Sequence, residues 1–385
     1  MRWFFERAHT LTLFYVIAFS VCALDNGNSF YVSPSLFFLN PIWGYSAIIF
    51  LMFFSSIYVF LMIVNGRLDK YFFIFFISSC MYLMYFSILY GRVEYLTYRQ
   101  IGFSIFICST FFLLDVRVFS RPLCYAVMFL AFFSFLISIQ LHQFIYFPII
   151  AYKDFGIASS FFSATGGLFV QTNASGAFFC LSFLVFQSFV YQKKENIYKW
   201  SLLFSFVGLL CSMALGPLFL AMFFSVFYLN KKYFLIFLVL FIFVFVFNFE
   251  YITYYLSYKL NSGVIKYEVF LSVMDHLFTN PSSMFFGQLN YVESRSLLYT
   301  ESSFLDLVLN FGFLGVLFLV LSIGVMIDFV KHERLVGAFR LFIPVISFLV
   351  LSITQNSVFL ISNLIVIFIY LAFVRQVVTQ GELRI

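Results

Sequence analysis

Ten Asp, Glu, Lys, Arg and His residues fall between Glu250 and Asp306: Glu250, Lys259, Lys266, Glu268, Asp275, His276, Glu293, Arg295, Glu301 and Asp306. They interrupt a chain that is otherwise a succession of apolar runs, and charge kept this close to lipid asks for a reason. Glu301 stands in Thr300-Glu301-Ser302-Ser303, just before an uninterrupted apolar run. A carboxylate there accepts a proton at neutral pH and can serve as a general base. The alternative is a favourable charge at a helix N-terminus. Asp306 lies about one turn further in, where a carboxylate is either functional or paired. His276 is the third candidate base; like His142, it lacks partners at metal-ligand spacing. Lys259, Lys266 and Arg295 are cations suited to an anionic ligand, of which a lipid diphosphate is the natural membrane example. Pairing with Glu268 or Glu293, or with lipid headgroups, is the alternative. No P-loop, GxGxxG, HExxH or GxSxG occurs in a usable context.

The elements that must position these residues are apolar helices. Of 385 residues, 63% are hydrophobic and 10% charged, and the mean hydropathy is +1.03. An ordinary soluble domain is roughly half apolar and about a quarter charged. The composition therefore predicts an all-α polytopic integral membrane protein, a single transmembrane domain over residues 1–385. The 64 Phe residues read as bulky packing in place of Leu. Six Cys residues lie in or beside apolar runs without CxxC spacing, so they read as small hydrophobes.

Apolar runs occur near 10–24, 42–64, 71–90, 100–114, 122–141, 175–191, 200–215, 217–229, 234–248, 303–327, 341–355 and 358–374. Arg2 and Arg7 precede the first, in the manner of a signal peptide, but Leu24-Asp25-Asn26 offers no small-x-small cleavage site, so a retained helix is expected. The run 200–229 is too long for one upright span and short for two. Gly216-Pro217 in its middle predicts a turn. Charge supports that turn. With twelve spans and both termini inside, inner segments hold 16 of the 22 Lys and Arg residues; fusing 200–229 flips every later loop and leaves 12 against 10. The positive-inside rule thus predicts about twelve spans, with outer loops over 142–174 and 249–302, the latter between helices 9 and 10. Within it, Asn261-Ser262-Gly263 and Asn280-Pro281 bracket a short helix over roughly 264–278, expected to lie on the outer leaflet. No internal repeat is visible, and matched broken helices of the transporter kind are absent.

Three segments resemble the O-antigen polymerase and ligase superfamily, the Wzy-type proteins. Gly166-Gly167-Leu168-Phe169-Val170-Gln171-Thr172-Asn173-Ala174-Ser175-Gly176 resembles the family's G-L-F…N-x-N/S-x-A lead-in to a central helix. Ser257-Tyr258-Lys259-Leu260-Asn261-Ser262-Gly263, then Asn280-Pro281 and Gly287, resembles its outer loop S-G-R…N-P…G-x-G. Glu301-Ser302-Ser303-Phe304-Leu305-Asp306 with Gly312-Phe313-Leu314-Gly315 resembles its H/D/E-S/N-x-Y/F-L…G-x-x-G helix start. The resemblance covers residues 160–325. Departures are specific: Val264 stands at the S-G-R arginine position, Ala164 and Thr165 stand where an Arg often precedes G-L-F, and Ala214-Leu215-Gly216 stands for the family's S-R-G turn.

The resemblance implies a GT-C-like, metal-independent glycosyltransferase of the bacterial inner membrane. Its loops 142–174 and 249–302 would be periplasmic and both termini cytoplasmic. It would join undecaprenyl-diphosphate-linked repeat units into O-antigen for lipopolysaccharide, with no cofactor and with a chain-length regulator protein as a partner besides membrane lipid and the glycans. No nucleic-acid role is expected. Glu301 would act as base with His276 or Asp306 behind it, and Lys259, Lys266 and Arg295 would hold diphosphate. Ligases carry His where Glu301 stands, which favours the polymerase over the ligase. A lipid-linked oligosaccharide flippase is the alternative of another class. It would place ionisable residues within several spans, whereas here nearly all lie between them.

Overall fold

A computed structural model describes residues 116–139, 172–193, 195–228, 264, 267–276, 278–281, 339–354 and 361–379, with a few single positions elsewhere. Six helices order this part: α1 (Val116–Ser138), α2 (Thr172–Lys193), α3 (Asn196–Ser212), α4 (Leu215–Ser225), α5 (Phe339–Thr354) and α6 (Ile361–Thr379). A further helical run covers 267–276, and no strand occurs among the described residues. Two stretches, Ser120–Ser138 and Asn173–Lys193, are long and apolar enough to cross a bilayer.

The hub is α2. It is apolar around its whole circumference, and every residue from Ala174 to Phe189 is buried. A helix hydrophobic on all sides needs partners on all sides, and α2 packs against α3, α4, α5 and α6, while α1 closes on α3 and α6. Aromatic rings fill both ends. Phe169 meets Phe178 at 4.9 Å and Phe179 at 5.8 Å between centroids. At the other end Phe189 meets Phe373 at 4.3 Å and Tyr198 at 5.2 Å.

The outer helices are inverted relative to a water-soluble bundle. Tyr125, Phe132 and Phe135 of α1, Trp200, Leu203 and Leu210 of α3, Phe219 and Phe223 of α4, and Val350 and Ile353 of α5 are exposed. Ser134, Ser182, Gln187, Ser188, Ser225, Ser347 and Asn363 are buried. Several hydroxyls are satisfied within their own helix: Ser205 Oγ donates to the Ser201 carbonyl at 2.6 Å, Ser225 to Ala221 at 2.6 Å and Ser347 to Ile343 at 2.7 Å. Such back-bonding is how a helix carries hydroxyls in apolar surroundings.

The chain reverses between α3 and α4. Phe183 of α2 meets Phe206 at 5.7 Å and Phe189 meets Tyr198, so α3 runs antiparallel to α2. Gly176, at the start of α2, touches both Ser212 at the end of α3 and Pro217 at the start of α4. Further along, Gln187 Nε2 donates to Ser225 Oγ at 2.8 Å, so α4 returns parallel to α2. The turn expected at Gly216-Pro217 lies three residues earlier. Met213 takes the left-handed conformation (φ 47°) and its N–H bonds the Leu210 carbonyl. Ser212 Oγ donates to Leu209 O at 2.7 Å and accepts from Ala214 N at 3.3 Å, closing the turn. Pro217 then falls inside the first turn of α4, where a missing N–H goes unused. Gly216 is exposed.

Proline also shapes α5. Pro344 has no N–H for the Arg340 carbonyl one turn back. The Tyr228 hydroxyl, from beyond the end of α4, donates to that carbonyl instead. Tyr370 Oη of α6 donates to the neighbouring Leu341 carbonyl at 2.6 Å and lies 3.3 Å from Ser188 Oγ of α2. The Arg340 guanidinium donates to the Tyr191 hydroxyl and lies over its ring, 4.8 Å from the centroid. One polar cluster thus ties α2, α4, α5 and α6 together at the end opposite Gly176.

Candidate functional site

Of the residues proposed for chemistry, His276 is the one the structure describes. Glu301, Asp306, Lys259, Lys266 and Arg295 lie outside the described residues, as does most of 142–174 and of 249–302. The helix carrying His276 forms where Asn261-Ser262-Gly263 and Asn280-Pro281 predict it, and it stops at Asn280. There Asn280 N bonds the His276 carbonyl at 3.0 Å, and Thr279 Oγ1 bonds the Asp275 carbonyl at 2.8 Å. The last carbonyls of the helix are thereby satisfied at Asn280, the break before the helical position Pro281.

His276 is half-buried, on the same stripe as Val269, Ser272 and Val273, at the spacing of one helix face. Its Nδ1 lies 3.5 Å from Asn280 Nδ2. Glu268 and Asp275, seven residues apart, share a different and exposed edge. His276 is therefore turned toward the protein and away from the water-facing carboxylates of its own helix. Among the described residues no three His, Cys, Asp or Glu side chains gather as a metal site would require. Of the native thiols, Cys124, Cys180 and Cys211 are buried and unbridged, in keeping with packing roles.

The lead-in to the central helix is the best-described of the three resembling segments. Phe169 is buried against the α2 rings, and Asn173, in the first turn of the helix, is half-buried. Gly176 brings this segment against the turn at Met213–Ala214: a Cβ on Gly176 would stand 2.3 Å from the Ala214 Cβ and 3.2 Å from Ser212 Oγ. Two features far apart in sequence, the start of α2 at Gly176 and the turn at Met213–Ala214, thus meet in one packed corner. The small-residue run Ala174-Ser175-Gly176-Ala177 is the sequence signal of such a close helix approach. The tyrosine and arginine cluster at the opposite end had no comparable signal, because its members come from four separate helices.

No protein-family model, curated protein or solved structure matches this chain.

Proposed function

We propose that the protein is a polytopic helical membrane enzyme of about twelve spans that polymerises lipid-linked oligosaccharide, an O-antigen polymerase of the Wzy type. Membrane embedding is supported by the inverted arrangement of the bundle, with Phe132, Leu203, Phe223 and Ile353 outward and serine and glutamine inward. Large apolar side chains exposed on several helices at once fit a lipid-facing surface better than a water-facing one. The twelve-span arrangement draws support from the reversal at Met213–Ala214, the break that arrangement needs to assign 16 of 22 Lys and Arg residues to the inner side. The observation that carries the enzymatic reading is the ordered set of three motif segments across 160–325, with Glu301 just before an uninterrupted apolar run.

In this reading the donor is a growing glycan on undecaprenyl diphosphate, and the acceptor is the terminal sugar hydroxyl of one lipid-linked repeat unit. Glu301 removes the acceptor hydroxyl proton. The new glycosidic C–O bond forms as the anomeric C–O bond to diphosphate breaks, and undecaprenyl diphosphate leaves with the electron pair. Lys259, Lys266 and Arg295 stabilise the charge on the leaving diphosphate. His276, in the middle of the same loop, or Asp306 stands behind Glu301. A chain-length regulator would set when elongation stops.

The test is deletion of the gene followed by electrophoresis of lipopolysaccharide. A single repeat unit on the core supports polymerase. Bare core with intact lipid-linked polymer means ligase, and loss of lipid-linked material from the outer face means flippase. Either of the last two results removes the polymerase reading.

A further inference from the structure

The helix around His276 has a second face that the proposed reaction does not use. Val269 and Val273 are 6% and 0% exposed, so one side of the helix is packed. A helix packed on one side ordinarily turns a polar face outward. Here Tyr267 (63% exposed), Leu271 (47%) and Phe278 (72%) make an exposed apolar stripe, extended by Val264 and Phe270. Positions 264, 267, 271 and 278 fall within one narrow arc at 3.6 residues per turn. Glu268 and Asp275 lie along the edge of that arc, exposed, and separate it from the Val269–Val273 side.

We propose that this stripe is seated in the bilayer interface, so that the helix over 267–276 lies along a lipid surface with His276 on its protein side. The inference rests on the membrane part of the proposed function and is independent of the glycosyltransferase part. Three observations select lipid as the occupant. A charged side chain is costly at the centre of a span, and Glu268 and Asp275 both stand in this helix, so it lies along the surface and does not cross. Its outward residues are of the same kinds as the outward residues of α1, α3 and α4, namely Phe132, Leu203 and Phe219. Its carboxylates are confined to one edge, as in a helix whose apolar face sinks about 5–10 Å below the headgroups while its charges stay in water. Such seating fixes the height of His276 relative to the bilayer, the level at which a lipid diphosphate is presented.

The test uses the full-length protein in proteoliposomes, in a background with the six cysteines replaced by alanine. An environment-sensitive fluorophore is placed singly at Leu271→Cys, Phe278→Cys, Asp275→Cys and, as a reference on α1, Phe132→Cys. The Leu271 and Phe278 labels are expected to shift to the blue, to be quenched by phospholipids brominated near the glycerol, and to be protected from aqueous iodide. The Asp275 label is expected to show the reverse. The Phe132 label is expected to be quenched by bromines placed deeper in the chains. Leu271 and Phe278 labels as open to iodide as Asp275, beside a lipid-quenched Phe132 label, would put the stripe in water and end the proposal alone. Labels at those positions protected from both iodide and bromolipid would mean a protein surface covers the stripe, a second copy included, and would also end it. Absence of lipid quenching at Phe132 would remove the membrane reading beneath it.

Discussion

At the scale of single residues, the sharpest consequence of the proposed function concerns Glu301. Glu301→Gln keeps the shape and removes the proton acceptor. Polymer is expected to vanish while single repeat units remain, a loss of about 10²- to 10⁴-fold in general-base catalysis. Glu301→His is expected to retain some polymer, because imidazole fills that position in the ligases. A helix-end charge alone is worth about 0.3–1 kcal/mol, so wild-type polymer from Glu301→Gln at equal protein level would move the base to His276 or Asp306. The cations are read the same way. Single Gln replacements of Lys259, Lys266 and Arg295 are each expected to lower polymer without removing protein from the membrane. One charge-assisted contact is worth about 1.5–3 kcal/mol, roughly 10- to 150-fold. Full activity in all three variants would shift the diphosphate site elsewhere, to Lys153, Arg92 or Arg99.

At the scale of elements, two contacts decide how the helices meet. Gly176 lets α2 approach the α3–α4 turn so closely that an added methyl collides with the Ala214 Cβ, an atom fixed to backbone. Gly176→Ala is expected to cost about 1–3 kcal/mol, the usual penalty of overpacking. Ala214→Gly in the same molecule should return part of it, since the two sites share one contact. Thermal unfolding of the detergent-solubilised protein measures both, and no recovery in the double variant would mean the strain lies elsewhere. The second contact is the Tyr228 hydroxyl on the Arg340 carbonyl. Tyr228→Phe leaves that carbonyl without the donor Pro344 denies it, and is expected to cost about 1–3 kcal/mol. In a Pro344→Ala background a backbone N–H is restored, so the same substitution should cost clearly less. Equal costs in both backgrounds would show that the tyrosine acts by packing instead.

For the whole molecule, the charge asymmetry and the reversal at Met213–Ala214 make a single statement about sidedness. In the proposed arrangement every span after α3 changes direction if that turn is absent, so the side assigned to Glu301 depends on one pair of residues. A single Cys at Ser283, in a cysteine-free background, is expected to react with an impermeant thiol reagent in intact spheroplasts. The Lys193–Lys199 loop, probed at Asn196, is expected to react only after lysis. Labelling of position 283 only after lysis would overturn the twelve-span arrangement and put the proposed site on the wrong side for a lipid-linked acceptor outside the membrane.

Much of the described part was legible in the sequence because hydropathy and local punctuation are properties of neighbouring residues. The helical class of the described part, the span-length helices at Ser120–Ser138 and Asn173–Lys193, and the helix ending at Asn280-Pro281 all follow from runs and stop signals. That the run 200–229 breaks and returns was legible too, from length and charge. Its exact pivot was not: Gly and Pro mark where a turn is permitted, but Met213 turns because Ser212 caps the corner and Gly176 receives it from another helix. The polar cluster of Ser188, Tyr191, Tyr228, Arg340 and Tyr370 was equally invisible, since it joins residues up to 182 positions apart. Nor could periodicity say which side of the His276 helix is packed, because Val269–Val273 and Tyr267–Leu271 are both apolar stripes. Only the tertiary structure buries the first and exposes the second, as burial is decided by what other segments bring to a face and not by the face itself.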